Sequence, residues 1–168
     1  MKTLQGKASC VIVDDIDTDQ IFHASLLTIH DPEQIRPHIF GNLKNFEQFG
    51  SNNHEGQILF VGKNFGKGST RQQAVTGFLA HKIGAIVGES FGPIYYGNAL
   101  NEGLLLIEAP DIKKYSFDDE DDIEILIEES KLKNLTKNFE LTIKKIPQPL
   151  LDIREAGGLL ELGKTWNG

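Results

Sequence analysis

Apolar and polar positions along the chain follow three patterns, and each pattern predicts a different kind of secondary structure. Short apolar runs at residues 8–13 and 57–62 predict buried strands. Between residues 70 and 82, apolar side chains recur every three to four positions, which predicts a helix with one buried face.

The middle of the chain continues as an alternation of strands and helices. Gly84 is expected to end the first helix, and an apolar run at 85–87 predicts the next strand. Pro93 opens a second helix, and a further strand is expected at 104–107. This strand–helix–strand–helix–strand order is typical of a right-handed parallel α/β unit.

The last third of the chain has a different pattern. Residues 118–122 are five carboxylates in a row, which indicates a solvated turn. Apolar and polar residues alternate at 123–127 and 139–146, as in antiparallel strands with one wet face. A helix at 149–156 and a short final turn at 159–162 are expected to follow.

Composition narrows the class of protein. A chain of 168 residues suits one domain, 1–168, with a substantial hydrophobic core. The net charge of −7 argues against nucleic acid as the main partner, because phosphate binding favours a basic face. No apolar run approaches the roughly 18 residues of a membrane span. Residues 1–6 lack a signal-peptide pattern, so the cytoplasm is the expected location.

Cysteine and histidine usage argues against metal binding by this chain. Cys10 is the one cysteine, so the chain has no internal disulfide and too few thiolates for an iron–sulfur cluster. The five histidines show neither HxxxH nor HxH spacing. No metal site is therefore predicted.

Residues 64–71, with the sequence NFGKGSTR, are the main candidate for chemistry, and we call them the glycine loop. Glycines let the backbone approach a ligand closely, and a helix start offers unpaired N–H groups. Lys67 and Arg71 add two positive charges beside the hydroxyl of Ser69. The pattern predicts an anion site that contains a nucleophile or base.

A purely structural interpretation of this loop stays open. Ser69 followed three residues later by Gln72 fits a capping box, which begins helices in many kinds of protein. The glycine spacing matches neither the GxxxxGK[ST] phosphate loop nor the GxGxxG pattern.

A second polar stretch follows the first strand, where residues 14–19 carry four carboxylates. They indicate either a metal-binding loop or a solvated turn with side chains bonded to the local backbone. The DxDxDG pattern of an EF-hand is missing.

Taken together, residues 64–105 resemble the small subunit of the aconitase-like hydro-lyases, notably isopropylmalate isomerase and homoaconitase. Five motifs carry the resemblance in the family's order: Asp17-Thr18-Asp19-Gln20-Ile21, Gly68-Ser69-Thr70-Arg71, Gly88-Glu89-Ser90-Phe91, Ile94-Tyr95-Tyr96-Gly97-Asn98-Ala99 and Gly103-Leu104.

The resemblance implies a fold, an activity and a partner. The fold would be the α/β swivelling domain of the aconitase type, in three β/β/α layers around a mixed, partly parallel sheet. The activity would be dehydration and rehydration of a small hydroxy-polycarboxylate, with isopropylmalate in leucine biosynthesis as the leading substrate. A large catalytic subunit would hold the [4Fe-4S] cluster in a heterodimer or heterotetramer, and this chain would bind none.

The resemblance also implies roles for individual residues. Ser69 would be the catalytic base, and the substrate would be bound by Gly68, Lys67, Thr70 and Arg71.

Two further segments would shape the cleft. Asp19, with Asp17, would lie in it and orient partner side chains. Substrate choice would fall to the specificity loop, which comprises Leu27, Thr28, Ile29 and His30.

The chain departs from the family pattern at four places. Lys67 stands where the family mostly has Cys, Thr70 where it mostly has Ser, and Gln72 where it mostly has Glu. The segment before the specificity loop has His23-Ala24 in place of Pro-Gly, and no arginine occurs before Arg36. Homoaconitase, a related dehydratase, a non-catalytic carboxylate-binding module and a stand-alone phosphate binder therefore remain as alternatives.

Overall fold

The computed structural model describes residues 2–166, and the strands in this range form one seven-stranded sheet in the order β4-β3-β2-β1-β5-β6-β7. The strands are β1 Thr3–Val11, β2 Ile58–Val61, β3 Ala85–Gly88, β4 Leu106–Glu108, β5 Asp122–Leu126, β6 Lys131–Asn134 and β7 Phe139–Thr142. The α-helices are α1 Thr18–Ile21, α2 Pro32–Ile35, α3 Gln73–Ala80, α4 Pro93–Asn101, α5 Gln148–Ala156 and α6 Leu159–Trp166.

Strand β1 joins a parallel half of the sheet to an antiparallel half. Its residues 8–11 pair parallel with β2, beginning at Ala8 opposite Ile58. Its residues 3–7 pair antiparallel with β5, beginning at Thr3 opposite Leu126. The parallel half continues through β3 and β4, and the antiparallel half through β6 and β7.

The parallel half buries both faces, as its continuous apolar strands require. On one face, Leu59 and Ile86 share a core with Phe78 of α3. On the other face, Phe60 shares a core with Ile125 and with the rest of the antiparallel half. The sheet therefore curls over itself, and the predicted β/β/α layers and parallel central unit are confirmed.

Helix α3 begins later than the sequence predicts. It starts at Gln73 rather than Thr70, and Gln72 at its N-cap makes no side-chain capping bond. The predicted capping box of Ser69 and Gln72 is therefore wrong. A contact distant in sequence competes with that pattern, because the Thr18 hydroxyl donates to the carbonyl of Ser69 and holds this segment against the loop after β1.

The end of α3 also differs from expectation. His81 is its C-cap, and Lys82 takes the left-handed conformation at φ 57° where Gly84 was predicted to end the helix. The Lys82 carbonyl accepts from the N–H of Gly56, which holds this turn in place.

Three expectations for the last third need correction. Strand β6 was missed because its sequence, KLKN, is mostly polar, although Leu132 and Asn134 are buried. The acidic turn is not wholly solvated, since Asp121 is buried and accepts from the Asn134 amide at 2.8 Å. Residues 159–162 belong to an eight-residue helix, α6, rather than a short turn.

Candidate active site

Three loops meet at the carboxyl ends of β1, β2 and β3, and backbone hydrogen bonds lock them together. The N–H of Gly66 donates to the carbonyl of Ile16 at 2.7 Å, and the N–H of Thr18 donates to the carbonyl of Lys67 at 3.0 Å. On the other side of the glycine loop, the N–H of Phe65 donates to the backbone carbonyl of Ser90 at 3.1 Å. The glycine loop therefore lies between the loops that follow β1 and β3.

The close approach of α4 explains the first glycine of the loop. Gly66 has φ 82°, and a Cβ at this position would overlap the ring of Tyr95. Tyr95 is itself buried, and its hydroxyl donates to the carbonyl of Ala74 at 2.8 Å. Tyr95 is therefore part of the framework that holds the glycine loop.

Ser90 also has a structural contact, because its Oγ accepts from the N–H of Asn64 at 2.8 Å.

The residues predicted to meet the substrate lie at the surface of this junction. Lys67, Gly68, Ser69 and Thr70 are all exposed. The main chain of Ser69 is fixed, since its carbonyl accepts from the buried Thr18 hydroxyl at 3.0 Å. The Ser69 side chain is thus presented to solvent on a fixed backbone.

Arg71 is the most enclosed member of this group, with 11% of its side chain exposed. Its Nη1 donates to the carbonyl of Phe22 at 2.7 Å and to the Asp19 carboxylate at 3.1 Å. Arg71 therefore ties the glycine loop to the segment after β1, and the contacts that hold it use one edge of the guanidinium.

The Asp19 carboxylate accepts hydrogen bonds from three residues. Its Oδ1 accepts from Arg71 and from the N–H of Ala24 at 2.9 Å, and its Oδ2 accepts from the Asn42 amide at 3.0 Å. The Ala24 N–H bond, followed by the Arg71 guanidinium and the nearby His23, holds the pKa of the Asp19 carboxyl below its usual value despite partial desolvation. Asp19 is therefore a carboxylate at neutral pH.

Asp17 has a different environment. It is the N-cap of α1, where its side chain accepts from the N–H of Gln20 at 2.9 Å and the Gln20 side chain accepts from the N–H of Asp17 at 3.0 Å. Its carboxylate is committed to a capping box, whereas Asp19 is the residue brought to Arg71.

The specificity loop lies next to the start of α3. Leu27, Thr28 and His30 are exposed, and Ile29 packs partly against the core. The buried Gln73 donates through its Nε2 to the carbonyls of Leu27 at 3.1 Å and Ile29 at 3.2 Å.

Sequence reasoning missed three residues that support this arrangement. Thr18, Asn42 and Gln73 all contribute side-chain donors to it. Thr18 lies inside a motif that was singled out, but the partners of Asn42 and Gln73 are distant in sequence and leave no local signal.

The acidic stretch after β1 behaves as a turn. Asp14 accepts from the N–H of Lys63 at 2.8 Å and pairs with Lys113, and Asp15 accepts from the Asn64 amide at 3.1 Å. These carboxylates therefore have protein partners and organise the loops that carry the site.

Within residues 2–166, no group of three or more His, Cys, Asp and Glu side chains could hold a metal ion. Burial raises the pKa of the Cys10 thiol to about 12, so its thiolate is strongly disfavoured. The described side chains of this chain therefore do not fit an iron–sulfur cluster as its ligands.

Comparison with known proteins gives consistent results. The family model of the aconitase C-terminal domain matches residues 32–112. A 3-isopropylmalate dehydratase small subunit from Methanopyrus kandleri is 39% identical over 161 residues, which cover 96% of this chain and 92% of that protein. An isopropylmalate/citramalate isomerase small subunit from Methanocaldococcus jannaschii is 35% identical and covers 88% of this chain and 86% of its own length.

A solved structure agrees with these sequences. The crystal structure of a 3-isopropylmalate dehydratase from Methanocaldococcus jannaschii superposes with a TM-score of 0.86 at 30% identity, over 98% of this chain and 95% of that one. The sequence motifs, the curled mixed sheet and the full-length relatives agree, and the chain belongs to the 3-isopropylmalate dehydratase small-subunit family of aconitase-type hydro-lyases.

Proposed function

We propose that this chain, with a large-subunit partner, isomerises a 2-alkylmalate of the isopropylmalate type by removing and re-adding water. One observation carries the proposal: the exposed Ser69 lies two residues from Arg71, whose guanidinium is already fixed by Asp19. A nucleophilic oxygen and an oriented cation are thus presented together at the surface of the site.

Arg71 is suited to bind a substrate carboxylate. Its Nη1 is occupied by Asp19 and Phe22, whereas no described residue accepts a hydrogen bond from Nε or Nη2, which leaves both for a ligand. A guanidinium edge binds a carboxylate through two parallel hydrogen bonds. Thr70 and the Gly68 backbone, both exposed, would complete the carboxylate site, and Lys67 would add a second positive charge.

Ser69 is the proposed base, which takes the proton from the substrate carbon next to the one that loses its hydroxyl. A serine hydroxyl is a very weak acid, so its alkoxide needs nearby positive charge and N–H donors. Because α3 begins only at Gln73, the helix N-terminus contributes less than the sequence predicts. Lys67 and Arg71 therefore supply most of the stabilisation.

The large subunit is needed for the step in which hydroxide leaves the substrate. A Lewis acid assists the departure of hydroxide from carbon, and the described side chains do not form a site for one. Membership of the aconitase family suggests that the cluster belongs to the large subunit. Asp19, at the mouth of the site, would help to orient groups that the partner contributes.

The specificity loop supports a substrate with an uncharged side chain. Residues 23–30 contain neither Arg nor Lys, and Leu27 is 39% exposed there. A third carboxylate, as in citrate or homocitrate, would find no arginine or lysine in this loop.

The test is a reconstituted complex. The chain is purified with a candidate large subunit, the cluster is rebuilt without oxygen, and isopropylmalate, citramalate, homocitrate and citrate are assayed. We expect turnover of an alkylmalate and a loss of roughly a thousandfold or more in Ser69→Ala. Ser51→Ala, which alters another exposed serine, is the matched control.

The remaining outcomes separate the alternatives. Turnover that survives Ser69→Ala removes the base assignment. Turnover of homocitrate alone indicates a homoaconitase. A stable complex with an intact cluster and no turnover of any of the four acids favours the non-catalytic module.

A further inference from the structure

We propose that Gln73 determines substrate side-chain selectivity by holding the specificity loop at a fixed distance from the glycine loop. This inference rests on the proposed function, because it concerns the same site. The side-chain amide of Gln73 bonds to the carbonyls of Leu27 and Ile29, so Gln73 is a positioning residue that acts through the backbone of another loop.

The geometry of the contact is specific. One amide nitrogen of Gln73 donates to the carbonyls of Leu27 at 3.1 Å and Ile29 at 3.2 Å. These two carbonyls flank Thr28, so a single side chain fixes both ends of a three-residue arc. Gln73 is 8% exposed and lies on the first residue of α3, which makes the anchor itself rigid.

The same segment is tied at its other end by Arg71. The carbonyl of Phe22, the first residue of the segment 22–29, accepts from Arg71 Nη1 at 2.7 Å. Arg71 and Gln73 are two residues apart, so two neighbouring side chains attach the segment 22–29 to the chain that carries Ser69. The specificity loop is therefore tied directly to the chain that carries the proposed base, in addition to the packing of Ile29 against the core.

The side chains left exposed by this attachment are suitable for selecting a substrate. Leu27 is 39% exposed and Thr28 is exposed, although the backbone on either side of Thr28 is bonded to Gln73. An apolar surface discriminates between alkyl groups by fit, and a misplacement of a fraction of an ångström alters that fit. Loss of the Gln73 bonds should thus affect a large alkyl group more than a methyl group.

Neighbouring Gln72 provides a matched control. It carries the same amide one residue earlier, is exposed, and makes no side-chain capping bond. Gln73→Met keeps the approximate length of the side chain and removes the donor. Gln72→Met makes the same chemical change without touching the specificity loop.

The first measurement uses the full chain alone. Amide hydrogen exchange of residues 26–30 should become at least roughly tenfold faster in Gln73→Met and stay unchanged in Gln72→Met, because a detached loop opens more often. Unchanged exchange in Gln73→Met would show that the side chain does not hold the loop, and would overturn the proposal.

The second measurement uses the reconstituted complex. The ratio of kcat/KM for isopropylmalate to that for citramalate should fall about tenfold in Gln73→Met, mainly through KM, with kcat changed less than about twofold. An equal loss on both substrates, or a loss in kcat alone, would identify a merely structural role. A wild-type complex that turns over neither acid overturns the proposed function, and the selectivity role falls with it.

Discussion

The Arg71 Nη1 lies 3.1 Å from the Asp19 Oδ1, and this ion pair joins two loops whose residues are far apart in sequence. The Asp19 side chain is 42% exposed while that of Arg71 is 11% exposed. The carboxylate therefore acts as the outer member of the pair and holds the guanidinium in one orientation toward the site.

Removal of the carboxylate should leave Arg71 less firmly oriented, with the Phe22 carbonyl as its remaining partner. We expect Asp19→Ala to lower kcat/KM of the reconstituted complex by roughly a hundredfold, because the guanidinium loses its orienting partner. Steady-state assays on the alkylmalate measure this loss. Glu47→Ala, at another exposed carboxylate, should retain wild-type activity; equal losses in both variants would contradict the assigned role.

Thr18 should support Ser69 through the main chain. Its buried hydroxyl donates to the Ser69 carbonyl at 3.0 Å. Thr18→Val keeps the shape but leaves this carbonyl without its donor, so we expect a loss of about 1 kcal/mol in the free energy of unfolding and roughly a tenfold lower kcat. Thr18→Ser keeps the hydroxyl and should retain most of the activity. Chemical denaturation of both variants measures the free energy of unfolding, and steady-state assays measure kcat.

The contact between Gly66 and Tyr95 predicts a large effect on stability. Gly66→Ala would place a methyl group inside the Tyr95 ring at φ 82°, and we expect it to cost more than about 3 kcal/mol or to prevent folding. Gly97→Ala, in the middle of α4 with open space around it, should instead stabilise the chain by about 0.5–1 kcal/mol. Thermal unfolding of the two variants should therefore shift in opposite directions.

A buried histidine should make stability depend on pH. Burial lowers the pKa of His81 to about 4, and its Nε2 bonds to the Arg36 carbonyl at 2.8 Å. In the unfolded chain this pKa is about 6.5. Between about pH 4 and pH 6.5, the unfolded state therefore binds more protons at His81 than the folded state does. Stability is therefore fully present above about pH 6.5 and is lost as the pH falls toward 4.

The size of this effect is measurable by urea denaturation at pH 7.5 and pH 5. The His81 contribution to the difference should be about 2 kcal/mol. His81→Gln, which keeps a donor for Arg36, should reduce the difference by that amount, whereas His30→Gln in the exposed specificity loop should not. An unchanged difference in His81→Gln would assign the pH dependence to other groups.

Sequence reasoning was most successful where a pattern is local. The apolar strands of the parallel half, the helix opened by Pro93 and the glycine-rich turn after β2 each depend on neighbouring residues, and all were found. Strand β6 was missed because its two buried side chains, Leu132 and Asn134, alternate with two lysines and one of the two is itself polar.

The motifs supplied candidate residues for the site, but they could not predict the contacts between those residues. The motifs identified Ser69, Arg71 and Asp19, but spacing alone could not show that Asp19 pairs with Arg71 while Asp17 caps α1. Nor could it show the late start of α3, because the capping pattern of Ser69 and Gln72 is locally plausible and the distant Thr18 overrides it.

The division of β1 between two pairing modes has a consequence for folding kinetics. Residues 3–7 find their partners only at β5, Asp122–Leu126, more than a hundred residues later in the chain. Contacts of such long sequence separation form slowly. During synthesis the parallel half can assemble first, with one side of β1 left as an open edge, and such edges promote association between chains. The nascent protein should thus be most prone to aggregation in the interval between emergence of β4 and emergence of β5.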